Sequence, residues 1–301
     1  MKRRQWLLGA LGALATARLA AEPRFTVDEF EWADEARQRA VPVRLYRPAV
    51  AEGAVPLVVF SHGIGGSRRG YRYLGEHWAG HGIASLHVQH VGSDRAVWGG
   101  NPFAVVERLR SAAGDGEALA RVQDLRFALD TALAQLPGLD TARIAVAGHS
   151  YGANTAMLAA GARVARAPAT LRDERFKAAL LISAPPFYGE PALAPILQPL
   201  DVPTLHVTSV DDWIRIPGYG SGPDDRVAVF EATGSRRKWL AVFSEGNHSS
   251  FVGRAEGSRL VAATRELALA FTQQVFELPG ADFDGWRQRH GALVERFVSR
   301  T

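Results

Sequence analysis

The chain has 301 residues, of which 47% are hydrophobic, so it can bury a large core as one domain or two. Its formal net charge is +4, but four basic residues precede the first acidic residue, Glu22, and the remainder is close to neutral. The basic residues of that remainder are scattered, which argues against a nucleic-acid partner. The sequence contains no cysteine, which excludes a disulfide framework and a thiol nucleophile.

Residues 1–21 have the features of an export signal. A basic head is followed by an apolar segment interrupted by Gly9 and Gly12, and then by small residues. Arg3 and Arg4 resemble the twin-arginine type of signal, which exports folded proteins. We therefore expect a periplasmic or secreted protein, with an uncleaved membrane anchor as the alternative. The apolar segment is too short and interrupted for a membrane span, so no stable span is expected in the mature chain.

Short apolar runs alternate with helical patterns along the rest of the chain. The predicted strands are 41–48, 56–63, 83–89, 143–148, 177–183, 203–209 and 238–246. Most of them lack apolar–polar alternation, as expected for strands buried on both faces. Apolar spacings of three and four predict helices at 117–136 and 258–278. This order predicts one α/β domain over residues 22–301 with a mainly parallel sheet, to which residues 25–47 add an antiparallel hairpin.

Two segments, 91–114 and 214–234, are rich in glycine, proline and charged residues. We expect both to be loops at one end of the sheet, where they can shape a pocket. Their aromatic and apolar side chains include Trp98, Phe103, Trp213, Ile214 and Tyr219. These side chains either line an acyl pocket for short or medium chains or simply pack the loops.

One serine lies where a strand pattern changes into a helix pattern. The sequence GHSYG at 148–152 matches G-x-S-x-G, with an apolar run before it and a helix-compatible run after it. This motif holds the serine in a strained conformation with its hydroxyl above the sheet, and glycines two positions away avoid collisions. Ser150 is therefore the candidate nucleophile. The alternative is an ordinary Gly-Ser turn in which Ser150 caps a helix.

A serine hydroxyl needs a base, and the base needs an orienting carboxylate. His248 follows a predicted strand, and Gly246 before it allows a sharp turn. Asp211 and Asp212 follow the preceding strand, and we favour Asp212 as the triad acid with Asp211 in reserve. The alternatives are a solvent-facing loop histidine and an aspartate pair that caps a turn.

The loop at 62–66, sequence HGIGG, follows another predicted strand. Its glycines let the backbone approach a substrate closely. The expected donors of an oxyanion hole are the amide N–H groups of Ile64 and of Tyr151, the residue after the nucleophile. His62 is expected to order the loop by hydrogen bonding. Phosphate or dinucleotide binding is the competing interpretation, but the glycine spacing fits neither G-x-G-x-x-G nor the lysine-bearing P-loop.

FSHGIGG, GHSYGA, the aspartate after LHVTS and the histidine of GNHSSF together resemble the α/β-hydrolase superfamily over residues 41–275. Within it, the chain looks like the predicted dienelactone hydrolase and platelet-activating-factor acetylhydrolase-like branch. Dienelactone hydrolases use a cysteine nucleophile, and Ser150 stands in its place here, which favours ordinary ester hydrolysis. The resemblance implies an α/β-hydrolase fold with a mostly parallel eight-stranded sheet, helices on both faces and the active site at the carboxyl ends of the strands.

The residues together predict a serine hydrolase that cleaves small or lipid-like carboxylic esters without a cofactor. The nine histidines form no H-E-x-x-H motif, and no cysteine is present, so no metal site is expected. One alternative is an amidase, thioesterase or peptidase that uses the same triad. The other is a catalytically silent binding protein with this fold.

Overall fold

The apolar runs form strands of a single sheet in the computed structural model, which describes residues 24–165, 167, 171–216, 218–255 and 257–301. The predicted export signal at residues 1–21 lies outside these ranges. Within them, no helix is both long and apolar enough to cross a membrane.

The sheet has the strand order β1-β2-β4-β3-β5-β6-β7-β8-β9 across the described residues. The strands are β1 (Phe25–Asp34), β2 (Arg39–Pro48), β3 (Val55–Ser61), β4 (Ala84–Val88), β5 (Leu139–His149), β6 (Phe176–Ile182), β7 (Thr204–Asp211), β8 (Lys238–Asn247) and β9 (Val294–Arg300). Neighbours from β4 to β8 pair in parallel, and β1/β2, β2/β4 and β8/β9 pair antiparallel. The prediction of a mostly parallel sheet is confirmed, and residues 25–47 contain the expected hairpin.

The expected count of eight strands is wrong, because the described part of the chain contains nine. The additional strand is β9 at the edge of the sheet, where all of its residues are exposed or half-buried. Its sequence, VERFVSR, carries three charged residues and therefore lacks the continuous apolar run that marks the buried strands.

Helices cover both faces of the sheet. They are α1 (Arg72–Ala79), α2 (Val105–Ala112), α3 (Asp115–Gln135), α4 (Tyr151–Ala160), α5 (Ala194–Leu197), α6 (Pro223–Ala232), α7 (Arg259–Val275) and α8 (Phe283–His290). Successive residues of a strand point to opposite faces. On β3, Leu57 and Val59 accordingly pack with α3 and α4, whereas Val58 and Phe60 pack with α1, α7 and α8. The strands are thus buried on both sides, which explains their continuous apolar sequences.

The two segments predicted as loops each contain a helix. Helix α2 lies within 91–114 and buries Leu109 and Ala112 against Val97. Helix α6 lies within 214–234 and begins with proline at its first position and two aspartates in its first turn. These are signals of a helix start, since proline lacks the N–H that the first turn cannot use and acidic residues favour the positive end of the helix dipole. The glycine, proline and charged residues of the two segments therefore led to a wrong prediction of loops without helices.

Candidate active site

Ser150 lies between the last residue of β5 and the first residue of α4. Its backbone has φ 57 and ψ −125, in the positive-φ region that L-residues rarely adopt. Residues in such conformations persist only where the surrounding structure imposes them, and they cluster at functional sites. The turn puts the serine at the carboxyl edge of the parallel strands, at the amino end of α4.

The two glycines of the motif are required by backbone contacts. A Cβ added at Gly148 would lie 2.1 Å from the carbonyl oxygen of Gly152. A Cβ added at Gly152 would lie 2.0 Å from the carbonyl oxygen of Ser61, at the end of β3. Neither obstacle is a flexible side chain, so only glycine allows α4 to approach the sheet this closely.

The structure brings the three predicted triad residues together. The Nε2 atom of His248 lies 2.8 Å from Oγ of Ser150, and its Nδ1 atom lies 2.7 Å from Oδ1 of Asp212. Asp212 directly follows β7, and His248 directly follows β8. Since the carboxyl ends of parallel strands lie along one edge of a sheet, residues far apart in sequence meet there. This is the donor–acceptor order that a nucleophile, a general base and an orienting acid need.

The two candidate acids have different environments. Asp212 is fully buried, and the hydroxyl of Thr208 donates to its second carboxylate oxygen at 2.7 Å. Asp211 is exposed at the end of β7. Burial alone would raise the pKa of Asp212, but the hydrogen bond from His248 and the charges of His248 and Arg226 hold that pKa well below its ordinary value. Asp212 is therefore ionised at neutral pH and pairs with the imidazole.

Arg226, which the sequence did not suggest, supports the acid from α6. It is 2% exposed, and its Nε atom lies 3.6 Å from Oδ1 of Asp212. Its Nη1 atom donates to the hydroxyl of Ser221 at 2.9 Å. The arginine therefore supplies a fixed positive charge beside the buried carboxylate.

The loop that carries His248 is fixed on both sides. Gly246 has φ 91, and the side chain of Asn247 accepts a hydrogen bond from the Ser249 N–H at 3.0 Å. The Nε2–H of His149 donates to the carbonyl oxygen of His248 at 3.0 Å, and its Nδ1 accepts from the hydroxyl of Tyr71 at 2.8 Å. Burial lowers the pKa of His149 to about 3, so this imidazole is neutral and holds the loop without competing as a base.

The loop after β3 lies against the serine, since a Cβ added at Gly63 would be 3.2 Å from that of Ser150. The carbonyl oxygen of Gly63 accepts from Nδ1–H of His62 at 2.7 Å and from the Gly66 N–H at 3.0 Å. Because the peptide is planar and trans, the Ile64 N–H points away from these donors. His62 thus orders the loop by hydrogen bonding, as the sequence suggested.

Both expected oxyanion donors belong to the same cleft as the serine. Ile64 and Tyr151 line it together with Ser150 and His248. Within the described residues, neither the Ile64 nor the Tyr151 amide N–H has a hydrogen-bond partner in the protein. Two free N–H groups beside a nucleophile are what an oxyanion hole requires.

The cleft encloses about 2020 Å³ and takes in most of the predicted pocket residues. Trp98, Trp213, Ile214 and Tyr219 line it. The expectation for Phe103 is wrong, because this side chain is 96% exposed and does not line the cleft. The Trp98 indole also donates to the carbonyl oxygen of Gly65 at 3.1 Å, so it both lines the cleft and packs the loop after β3. Among the described residues, no group of three or more side chains could hold a metal ion.

The strand order, the helices on both faces and the strained serine at the strand–helix corner define an α/β-hydrolase fold. The family model of platelet-activating factor acetylhydrolase, isoform II, matches residues 34–98. This match covers β2 to β4 and the loop with the expected oxyanion donor. Among curated proteins, none matches this sequence.

Three solved structures show the same fold. A ferulic acid esterase from Streptomyces cinnamoneus has a TM-score of 0.65 and 21% identity, covering 88% of this chain and 94% of its own. A protein described as a dienelactone hydrolase from Klebsiella pneumoniae subsp. pneumoniae has a TM-score of 0.58 and 21% identity, with coverages of 83% and 99%. A cold-adapted esterase from an Arctic intertidal metagenomic library has a TM-score of 0.55 and 18% identity, with coverages of 81% and 92%. The family model confirms the predicted resemblance to the acetylhydrolase-like branch over residues 34–98, and the three solved structures confirm the predicted fold.

Proposed function

We propose that the protein is a carboxylic ester hydrolase that works through an acyl-enzyme intermediate on Ser150. One observation carries this proposal: the hydrogen-bonded chain from Ser150 through His248 to Asp212 opens into a cleft that also holds two unpartnered N–H groups. The acetylhydrolase family model and the esterase neighbours support ester hydrolysis in general. The residue roles below rest on the geometry of this chain.

In the proposed mechanism, Oγ of Ser150 attacks the ester carbonyl while Nε2 of His248 takes the hydroxyl proton. The negative charge that develops on the carbonyl oxygen is bound by the N–H groups of Ile64 and Tyr151, and the amino end of α4 favours it further. His248 then gives its proton to the departing alcohol. Water, activated by the same imidazole, cleaves the acyl-serine, and Asp212 orients the imidazole and balances its charge throughout.

The substrate class follows from the lining of the cleft. The rim carries Trp98 and Trp213, and Ile214 lies buried at its wall. Apolar and aromatic surface of this kind suits a short or medium acyl chain or a lipid-like ester. We therefore include small-molecule and lipid-like esters in the proposal. An amide, a peptide or a thioester is the competing substrate of the same triad.

The test is hydrolysis of a chromogenic acetate ester by the wild-type protein and by Ser150→Ala. The variant is expected to keep its unfolding temperature and to lose about 10⁴-fold or more in kcat/KM, because the nucleophile is removed. Full activity in Ser150→Ala would exclude the assignment. Matched ester, anilide and thioester substrates with one acyl group then rank the substrate classes, and faster turnover of the anilide or thioester would replace the ester proposal.

Export is a second part of the proposal, supported by the sequence of residues 1–21. We expect the mature protein in the periplasm or outside the cell. Replacing Arg3 and Arg4 together by lysine is expected to leave the protein in the cytoplasm as the full-length chain, since the twin-arginine pair is the recognised element. Normal export and processing of that double variant would show that another route is used.

A further inference from the structure

The guanidinium of Arg121 on α3 is fully buried and reaches the loop after β3. Its Nη2 atom donates to the hydroxyl of Ser61 at 3.0 Å and to the carbonyl oxygen of His62. Its Nη1 atom donates to the hydroxyl of Ser93 at 2.6 Å. The carbonyl oxygen of Ser93 in turn accepts from the N–H of Gly65 at 2.8 Å. The arginine therefore holds the chain on both sides of Ile64.

The same guanidinium also holds α4. Its Nε atom donates to the hydroxyl of Thr155 at 2.9 Å, and its carbon lies 4.5 Å from the centre of the Tyr151 ring. The Thr155 hydroxyl donates to the carbonyl oxygen of Tyr151 at 3.0 Å. One side chain thus contacts the three segments that carry or flank the two expected oxyanion donors.

The direct hydrogen-bond partners of the Arg121 guanidinium are neutral oxygens, whereas the nearby carboxylates of Glu117 and Asp124 act on it only through space. Burial lowers the pKa of Arg121 to about 10, so the group remains charged at neutral pH. Burying a guanidinium without a direct ion pair costs desolvation free energy, and an apolar side chain of similar volume would avoid this cost. Stability alone therefore does not account for an arginine here.

We infer that Arg121 is a positioning residue of the oxyanion hole, which fixes the Ile64 and Tyr151 amides relative to each other and places a permanent positive charge against the segments that carry them. This inference rests on the proposed function. An oxyanion hole works because its donors are oriented before the reaction, and losing one donor costs about 10²–10³ in rate. The charge adds to this effect because it lies in a region from which water is excluded.

Loss of Arg121 should affect kcat and KM differently. The negative charge exists in the transition state and not in the bound ester, so the variants are expected to change kcat and to leave KM nearly unchanged. A tetrahedral adduct of an alkylboronic acid with Ser150 resembles the transition state, so its inhibition constant should rise in step with the loss of kcat. If Arg121 had a packing role alone, its replacement would lower the unfolding temperature. The kcat and the inhibition constant of the boronic acid would then stay at their wild-type values in the folded protein.

The experiment compares Arg121→Met, Arg121→Lys and a control, Lys238→Met, in the full chain. Lys238 is also a buried cation, and its Nζ atom donates to the carbonyl oxygens of Phe230 and Thr233 at 2.8 and 2.6 Å. It begins β8, at the end of the strand opposite to the one that leads to His248. Its loss is therefore expected to lower stability without changing kcat in the folded protein.

Arg121→Met is expected to lose about 10²-fold or more in kcat, with KM within threefold and the boronic acid bound correspondingly more weakly. Arg121→Lys keeps the charge but cannot reach all the acceptors at once, and is expected to lose about tenfold. If Arg121→Met does not fold, the lysine variant decides the matter. Wild-type kcat in a folded Arg121 variant, or equal losses in the Lys238→Met control, would overturn the inference while Ser150→Ala still reports on the proposed function. A wild-type protein that hydrolyses no ester would reject both.

Discussion

The molecule contains a second Ser–His–Asp chain besides the proposed triad. Oγ of Ser61 lies 2.9 Å from Nε2 of His90, and Nδ1 of His90 lies 3.0 Å from Oδ2 of Asp124. These distances differ by at most a few tenths of an ångström from those of the proposed triad, which are 2.8 and 2.7 Å. The two chains also use the ring nitrogens in the same order. By hydrogen-bond geometry alone, either could be taken for a catalytic triad.

Their surroundings distinguish them. Ser61 and the side chains of His90 and Asp124 are completely inaccessible, and none of the three lines the cleft. Ser61 is the last residue of β3, and its hydroxyl already accepts a hydrogen bond from Arg121. Burial, followed by the charges of Arg121, Arg39 and Arg37, holds the pKa of His90 well below its ordinary value. This imidazole therefore resists the proton that a general base must accept.

The comparison shows that three side chains at bonding distance do not define a catalytic site. The proposed triad adds a strained serine at the amino end of a helix, an opening to the cleft and two free N–H groups. The buried chain instead links β3, the segment after β4 and α3, and it supports the loop that carries the expected oxyanion donor Ile64. The proposed triad is therefore suited to nucleophilic catalysis, whereas the buried chain is suited to a structural role.

Exchanging each acid for its amide should separate the two chains most strongly. Asp212→Asn is expected to lower kcat by about 10⁴-fold, because the amide no longer holds the imidazole in the required tautomer. Asp124→Asn leaves Arg37 and Arg39 without their shared carboxylate and is expected to lower the free energy of unfolding by about 3–5 kcal/mol. In the fraction that folds, kcat should fall by less than tenfold.

Ester kinetics and urea unfolding of both variants measure these effects. Asp211→Asn is the matched control for the first variant, since this neighbouring carboxylate is exposed, and it should behave like the wild type. A larger kinetic loss in Asp211→Asn than in Asp212→Asn would exchange the roles of the two aspartates.

The close approach of α4 to the end of β3 at Gly152 can be tested by adding one methyl group. Gly152→Ala would press its Cβ against the Ser61 carbonyl oxygen, and we expect a loss of about 3 kcal/mol or more in the free energy of unfolding, together with lower activity. Gly291→Ala is the control, because nothing lies within 4 Å of its added Cβ and its φ is −56. Equal stability of the two variants by urea unfolding would contradict the described packing of α4 on β3.

Low pH should lower the free energy of unfolding, because several imidazoles are buried in their neutral form. Burial lowers the pKa of His87, His149 and His206 to about 3, whereas an unfolded imidazole titrates near 6.5. Between these values the unfolded chain binds protons that the native chain does not, so stability falls as the pH falls, by up to about 1.4 kcal/mol per pH unit for each group. Above about pH 6.5 this effect disappears.

His206→Gln measures one such contribution, because this side chain lies in β7 beside Phe230 and does not line the cleft. The slope of the unfolding free energy against pH should decrease between about pH 6 and 4. The decrease corresponds to at most one proton fewer taken up on unfolding. The wild-type protein, unfolded over the same pH range, gives the reference slope. A wild-type slope in His206→Gln would show that this imidazole is protonated in the native state.

Ser61→Ala should have the smallest effect on activity. The hydroxyl contacts His90 and Arg121, but Arg121 keeps its bonds to His62, Ser93 and Thr155. We expect kcat to fall by less than tenfold, because the three remaining acceptors of Arg121 still hold the loop after β3 and α4. A loss as large as that of Ser150→Ala, with the fold intact by circular dichroism, would remove the distinction between the two chains.

Much of the fold follows from the sequence because the buried strands are continuous apolar runs. The runs at 56–63 and 143–148 became β3 and most of β5, and the spacing of apolar residues placed α3 and α7 to within about three residues. The strand β9 was missed because its half-exposed sequence has no such run. The helices α2 and α6 were missed because short helices rich in charge and glycine neighbours depend on tertiary packing for their stability.

The three triad candidates and the two amides could be named from motifs, but their supports could not. Arg121 and Arg226 act on partners that only the fold brings near, such as Ser61, which is 60 positions away from Arg121. The sequence of α3 did contain one sign of this network. Arg121 and Asp124 lie in the same turn as the apolar residues Val122 and Leu125, and all four are buried. Charged residues on the buried face of a predicted helix indicate an internal polar network, whose partners require the structure.

The central claim is that Ser150, and not its buried counterpart Ser61, is the nucleophile. The most direct measurement is mass spectrometry of the protein after reaction with a fluorophosphonate, which forms a covalent adduct with an activated serine. We expect one adduct, on the peptide that contains Ser150, in the wild type and in Ser61→Ala, and none in Ser150→Ala. An adduct on Ser61, or labelling that persists in Ser150→Ala, would contradict the account.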